Sequence, residues 1–372
     1  MMTIRPDRAM SRRTALALLP FASLVFLGLP SATADDAPPP ATFAYDAALT
    51  PVKNPQPILN DHPEWVEPVR ETNRFEAKTL IDEEGADLEV RAWRWSYNKR
   101  AIIEVPNRLK ASATAVIMVH PWGTDDGQGW STPQPAGAAD FCTPEKNAMA
   151  GKHTREVVVP FIKSLRGRVA LVLYSLSGDP DPIRTKLYRT INGKPTEEER
   201  KEAKKAQEAR LRGFNYNGGP LPERLEISRE APVADYLQKF PGLDAGPKYN
   251  PAGFWELGIP LSADTQADPD DYVLLDNQGY PALRDFLKKN GVRHILQTGY
   301  CADMCFKRTT AGYDNTTPDF NVFLVGDATL ATFPSNPTPR YATNATISFA
   351  AIDHLVTQIS WIKYTGPAGG GR

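Results

Sequence analysis

The sequence predicts a mixed α/β chain whose strands form a mainly parallel sheet covered by helices on both faces. Three observations predict it. Ala115-Val116-Ile117-Met118-Val119 and Val169-Ala170-Leu171-Val172-Leu173-Tyr174 are continuous apolar runs of strand length, the pattern of strands buried on both faces. Helical patterns separate the strands, which implies right-handed βαβ units. The chain has 372 residues, 41% of them hydrophobic, enough for one large domain with sizeable additions.

In chain order, Arg12 and Arg13 precede an apolar stretch from Ala15 to Leu29, and Ala32-Thr33-Ala34 offers a small-residue cleavage site. Residues 1–34 therefore read as an export signal. The arginine pair resembles a twin-arginine signal; a general secretory signal and an uncleaved anchor are the alternatives. Cleavage leaves a periplasmic or secreted protein with no membrane attachment. Residues 35–110 read as a Pro-rich linker followed by a β-rich extension, with strand patterns around Leu88-Trp95 and Ala101-Val105. The core domain spans 111–364, and residues 365–372 are a flexible tail. Within the core, Val157–Leu165 is helical. Ala282–Lys289 is a helix closed by Asn290-Gly291. His294–Thr298 and Val322–Val325 are strands, and Ile347–Ile359 is an amphipathic final helix. Residues 185–265 interrupt the rhythm as an insertion. Thr196 and Glu199 form a capping box that opens a helix running to about Arg212. That helix is either a solvated element or a lid or oligomer contact. Asn215–Asn250 reads as long loop.

The formal net charge is -1, which argues against nucleic-acid binding. Three cysteines, Cys142, Cys301 and Cys305, leave at least one thiol unpaired within the chain, so this is not a disulfide scaffold.

The chemically informative stretch is Gly299-Tyr300-Cys301-Ala302-Asp303-Met304-Cys305-Phe306. It follows a buried strand and opens a helix. A helix N-terminus offers unpaired N–H groups and a positive partial charge, which favour a thiolate nucleophile and can hold an oxyanion. A buried structural cysteine is the alternative for Cys305. Trp122-Gly123-Thr124-Asp125-Asp126-Gly127-Gln128-Gly129-Trp130 is a polar and aromatic loop after a strand C-terminus, where ligands of open α/β sheets bind.

On the residues Gly299, Asp303 and Cys305, followed by Thr309-Thr310-Ala311 and Val325-Gly326-Asp327-Ala328, the sequence resembles the isochorismatase-like cysteine hydrolases, relatives of nicotinamidases and N-carbamoylsarcosine amidases. The likeness covers roughly residues 113 to 360. It implies a three-layer α/β/α fold, a nucleophile at Cys305, and a cis peptide at Tyr300-Cys301. It also implies an oxyanion hole from backbone N–H groups of Cys301, Ala302 and Cys305. Ala302 stands where the family has threonine, and Phe306 where it has valine.

Two positions depart from the family. His120 stands where the general base is an aspartate. Histidine can do base work with a pKa nearer neutrality, or it can simply hold Pro121 and Trp122 in place. Asp125 and Asp126 can orient His120 or act in its stead, or form a turn. The segment Tyr272–Gly279, where the family has a lysine, has none; Lys146 is a substitute on chemistry alone, otherwise a solvent lysine. Trp122, Trp130, Tyr300 and Asp303 are candidate substrate contacts. Cys142 is either structural or near the pocket, and His153 reads as a surface or capping residue. His120, Asp125 and Asp126 make at most a weak metal site, so neither metal nor cofactor is expected. The resulting expectation is an exported hydrolase of a C–N bond in an amide-like small molecule, with homo-oligomerisation open. The alternatives are a catalytically degenerate small-molecule binding protein of the same fold, or a thiol or redox role for Cys301 and Cys305.

Overall fold

The apolar runs form adjacent parallel strands toward one end of a single sheet. In the computed structural model, residues 42–121, 144–213, 223–239, 258–303, 305–331, 347, 351 and 353–367 are described, with the side chains of 144–147 excepted. The chain divides into units Met1–Tyr45 and Asp46–Arg372; every described strand and helix belongs to the second. The export signal, the 365–372 tail beyond residue 367, and Trp122, Asp125, Asp126, Trp130 and Cys142 lie outside the described residues, as does the Lys146 side chain.

In chain order the strands are β1 (Leu49–Pro51), β2 (Arg74–Ala77), β3 (Ile81–Asp82), β4 (Leu88–Ser96), β5 (Ala101–Leu109), β6 (Thr114–Val119), β7 (Leu171–Leu176), β8 (Tyr272–Leu275), β9 (His294–Tyr300), β10 (Asn321–Leu330), β11 (Leu355–Thr357) and β12 (Ile362–Tyr364). The order β1-β2-β5-β4-β11-β10-β9-β6-β7-β8 makes one sheet, with β3 on β5 and β12 on β4. From β8 to β11 every neighbouring pair is parallel. The β4–β5 hairpin is antiparallel and joins this parallel part through β11.

Helices cover both faces. On one side α1 (Pro144–His153) runs through a π-helical turn, Thr154–Val158, into α2 (Val159–Leu165). Ala150, Val157 and Phe161 pack there on Val116, Val172 and Leu296. The insertion carries α3 (Arg184–Leu187), α4 (Glu197–Gly213) and α5 (Pro232–Lys239). On the other side lie α6 (Tyr280–Lys289), α7 (Cys305–Arg308) and α8 (Tyr313–Thr316). Leu283, Leu287 and Phe306 there meet Ile117, Leu173 and Ile295. Alternate residues of each central strand thus face opposite layers, which gives the α/β/α sandwich. Among the described residues no helix is long and apolar enough to cross a membrane.

The capping box forms, with Thr196 N donating to Glu199 (3.0 Å) and Glu199 N to Thr196 Oγ1 (3.2 Å). The α4 helix is not solvated all round: Ala203, Gln207 and Leu211 are buried. Two readings of local structure need correction. Leu355–Thr357 is a strand rather than the end of a helix over 347–359, because Val356 bridges β10 and Trp93 of β4 with no exposed surface. Tertiary pairing there overrides helical periodicity. Part of the segment taken as loop, Pro232–Lys239, is helical, with Asp235 accepting from the Ser228 N–H ahead of it (2.7 Å).

Candidate active site

Strands β8, β7, β6 and β9 end side by side, and the residues at their C-terminal ends converge. From β6 the chain steps to β7 and β8 in one direction, then returns to place β9 on the other side of β6. That reversal is the switch point where such sheets leave a crevice.

His120 follows β6 directly. Its φ is +43°, in the left-handed region that costs a non-glycine residue about 1–3 kcal/mol and recurs at functional sites. Its backbone N–H donates to Ser175 O (2.9 Å), which holds it against β7. The imidazole Nε2 meets Asp276 Oδ2 at 2.6 Å, with both side chains nearly buried. Burial works against charge on the ring. The negative charge on Cys305 and that on Asp276, with hydrogen bonds to both, overcome it and push the His120 pKa up to about 10. The site thus favours the charged ring, the form that can stand beside a thiolate.

Asp276 opens a short 3-10 turn, Asp276–Gln278, after β8. Its second carboxylate oxygen, Oδ1, accepts from Ser175 Oγ (2.9 Å). Its carbonyl accepts from the Thr310 hydroxyl, two residues past α7. Sequence reasoning missed Asp276, because its segment stood out for the lysine it lacks. The signal was available: an acidic residue closes the apolar tetrad Tyr272-Val273-Leu274-Leu275, as His120 closes β6. Asp125 and Asp126, expected to orient His120, lie outside the described residues; the carboxylate on its ring is Asp276.

Cys305 is the first residue of α7, half-buried. The helix is a single turn of four residues, so its dipole is small, and the charge next to the thiol comes chiefly from His120. Phe306 beside it is 1% exposed; burying that ring contributes on the order of 2–3 kcal/mol and fixes the turn on the sheet. Thr309 closes the turn, its N–H (3.1 Å) and Oγ1 (2.8 Å) both donating to Cys305 O. Cys301 is buried, and it forms no disulfide with Cys305.

The Tyr300-Cys301 peptide is cis. Behind it Gly299 has φ +107°, and a Cβ there would lie 2.1 Å from Val119 O. Only glycine lets β9 approach the residue that precedes His120. Two expectations on this loop are overturned. The Ala302 N–H donates to Leu330 O (3.0 Å), so it is not available to an oxyanion. Tyr300 is 1% exposed and is a core residue, not a substrate contact; its hydroxyl lies 2.9 Å from His153 Nδ1 and 2.8 Å from Thr154 Oγ1. His153 is likewise wholly buried rather than at the surface. It spans from Tyr300 to Asp327 O (2.9 Å), tying α1 to β9 and β10. Asp303 is exposed at the turn before Cys305. Among the described residues no group of three or more His, Cys, Asp or Glu could hold a metal ion.

The chain is similar in comparisons of structure to an isochorismatase family protein from Desulfovibrio vulgaris, with 15% identity and a TM-score of 0.32, over 67% of this chain and 95% of that one. It is similar to a cysteine hydrolase from Pseudomonas syringae (14%, TM-score 0.30, 68% and 91%) and to a nicotinamidase from Bacillus subtilis (13%, TM-score 0.29, 66% and 99%). No family model matches the sequence, and comparison with curated proteins finds no significant match.

Proposed function

We propose that this protein is a cysteine-dependent hydrolase acting on a C–N bond of an amide-like small molecule, with Cys305 as nucleophile, His120 as its proton partner and Asp276 as the orienting carboxylate. The single observation that carries the reading is the His120 ring held at 2.6 Å by Asp276 while interacting with Cys305. A positive imidazolium beside a thiol favours the thiolate, the nucleophilic form.

The thiolate attacks the carbonyl carbon and forms a C–S bond. The carbonyl π electrons move to oxygen, where the N–H groups of Cys301 and Cys305 are the remaining candidates for an oxyanion hole. With Nε2 engaged by Asp276, Nδ1 is the ring nitrogen that passes its proton to the leaving nitrogen as the C–N bond breaks. A thioester and a neutral His120 remain. Water attacks the thioester, His120 takes its proton, the acid leaves, and the thiolate–imidazolium pair is restored. The Asp276 carboxylate keeps Nε2 as donor throughout, which fixes the tautomer.

The likeness of Gly299-Tyr300-Cys301-Ala302-Asp303-Met304-Cys305 to the isochorismatase-like nucleophile loop supports the same reading, as does the position of the residues at a sheet switch point. The roles differ from that family's pattern: histidine and aspartate take the places where aspartate and lysine stand. Asp303, Trp122 and Trp130 are proposed as substrate contacts, and residues 1–34 as an export signal. Sizing the N-terminus of protein recovered from periplasm tests the signal; an intact Met1 there refutes cleavage.

The test of the chemistry is labelling with iodoacetamide across pH 4 to 9, mapping the modified cysteine. Fast labelling of Cys305 at pH 6, slowed in His120→Ala, is expected. Labelling no faster than an ordinary thiol in the wild-type protein refutes the activated cysteine.

A further inference from the structure

We infer that Ser175 is a positioning residue of this site, holding His120 and Asp276 in register through its carbonyl and its hydroxyl at once. The inference rests on the Cys305–His120–Asp276 reading and deepens it.

Sheet order sets the problem that Ser175 solves. His120 follows β6 and Asp276 follows β8, and β7 lies between those strands. Strands two apart in a sheet are separated by about 9.5 Å. Their end residues can touch only by leaning together over the middle strand. Ser175 is the residue of β7 at that place: it pairs with Val119, just before His120, and with Leu274, two before Asp276. It is wholly buried. Its carbonyl accepts the His120 N–H (2.9 Å), and its hydroxyl donates to Asp276 Oδ1 (2.9 Å). The other carboxylate oxygen is the one on the His120 ring. Each oxygen of Asp276 is therefore held by a different partner, and rotation of the carboxylate about its own axis would break both bonds.

Alanine would leave Oδ1 without that donor and the carboxylate free to turn. A merely satisfied core hydroxyl would be a sufficient account of the bond to Oδ1. It does not require that the same residue also hold the histidine backbone, and it predicts no effect on the thiol.

The experiment uses the full protein and the variants Ser175→Ala, Ser175→Thr, Asp276→Asn and His120→Ala. The rate of iodoacetamide reaction at Cys305 is measured from pH 5 to 10, with the His120 imidazole titration followed by NMR. Ser175→Ala is expected to slow labelling at pH 7 by about tenfold, the worth of one buried hydrogen bond, and to move the His120 titration to lower pH. Ser175→Thr, which keeps the hydroxyl, is expected to restore both. If Ser175→Thr does not fold, the shift of the His120 titration in Ser175→Ala decides alone. Wild-type rate and titration in Ser175→Ala, with Asp276→Asn slowed, overturn the role of Ser175 and leave the triad standing. A slow Ser175→Ala whose His120 titration is unchanged also overturns it, since that is a packing effect. Wild-type rates in Asp276→Asn and His120→Ala as well remove the triad and this inference together.

Discussion

Replacing Asp276 by asparagine tests the site at its least expected member. The substitution keeps the shape and removes the charge facing His120 Nε2 at 2.6 Å. A hydrogen bond to a charged group is worth about 1.5–3 kcal/mol, and each pKa unit corresponds to about 1.4 kcal/mol. The His120 pKa should fall from about 10 by roughly one to two units, still above neutrality because Cys305 remains beside the ring. The assay is an NMR titration of the His120 ring C–H resonance from pH 6 to 11, identified by its loss in His120→Gln. In the wild-type protein the midpoint should lie near 10. A variant midpoint indistinguishable from wild type refutes the electrostatic role of Asp276. A wild-type midpoint near the ordinary histidine value refutes the buried charge cluster itself.

Other outcomes are fixed by the same geometry. The His120 pKa is raised on folding, so its contribution to stability is full below about 6.5 and is lost as pH rises through about 10; the urea midpoint should decline across that window in wild type and much less in His120→Gln. Asp327 is buried, and desolvation raises its pKa to about 7 despite the Ile359 N–H donating to it. The folded chain then keeps a proton that the unfolded chain loses near pH 4, so stability falls between about 4 and 7 by up to about 4 kcal/mol. Asp327→Asn should raise Tm at pH 8 and change it little at pH 4; equal shifts at both would refute the assignment. Gly299→Ala should destabilise by about 3 kcal/mol or more, because the new Cβ meets the Val119 backbone at 2.1 Å in a conformation that disfavours side chains. A Tm within a degree of wild type would show that β6 and β9 can part.

The parallel part of the sheet was legible because its strands are buried on both faces and carry no polar alternation. Ala115–Val119 and Val169–Tyr174 could be little else. Leu355–Thr357 was illegible because three residues carry no period, and their strand state is conferred by neighbours 30 and more than 250 residues away. The same holds for the site. Cys305 and His120 stood out by chemical type at strand ends. Asp276 and Ser175 are ordinary residue types, and what makes them notable is the adjacency of β6, β7 and β8, a property of sheet order. Tyr300 and His153 misled in the opposite sense. A tyrosine beside a reactive loop invites a role in binding, and a histidine in a helical segment a surface or capping role, yet here the two satisfy one another inside the core.

The strand β11 is three residues long, but the sheet depends on it for continuity. It lies between β10 of the parallel part and β4 of the N-terminal hairpin, and β12 extends along β4 just after it. Residues 88–109, made before most of the parallel strands, and those strands therefore face each other across a gap that, among the described residues, Leu355–Thr357 fill. During synthesis both flanks of that gap are open strand edges, the surfaces on which chains pair with one another. Completion of the sheet thus waits on residues 355–364. A nascent or truncated form ending before Leu355 would present two sticky edges, whereas the finished protein has joined them into one sheet.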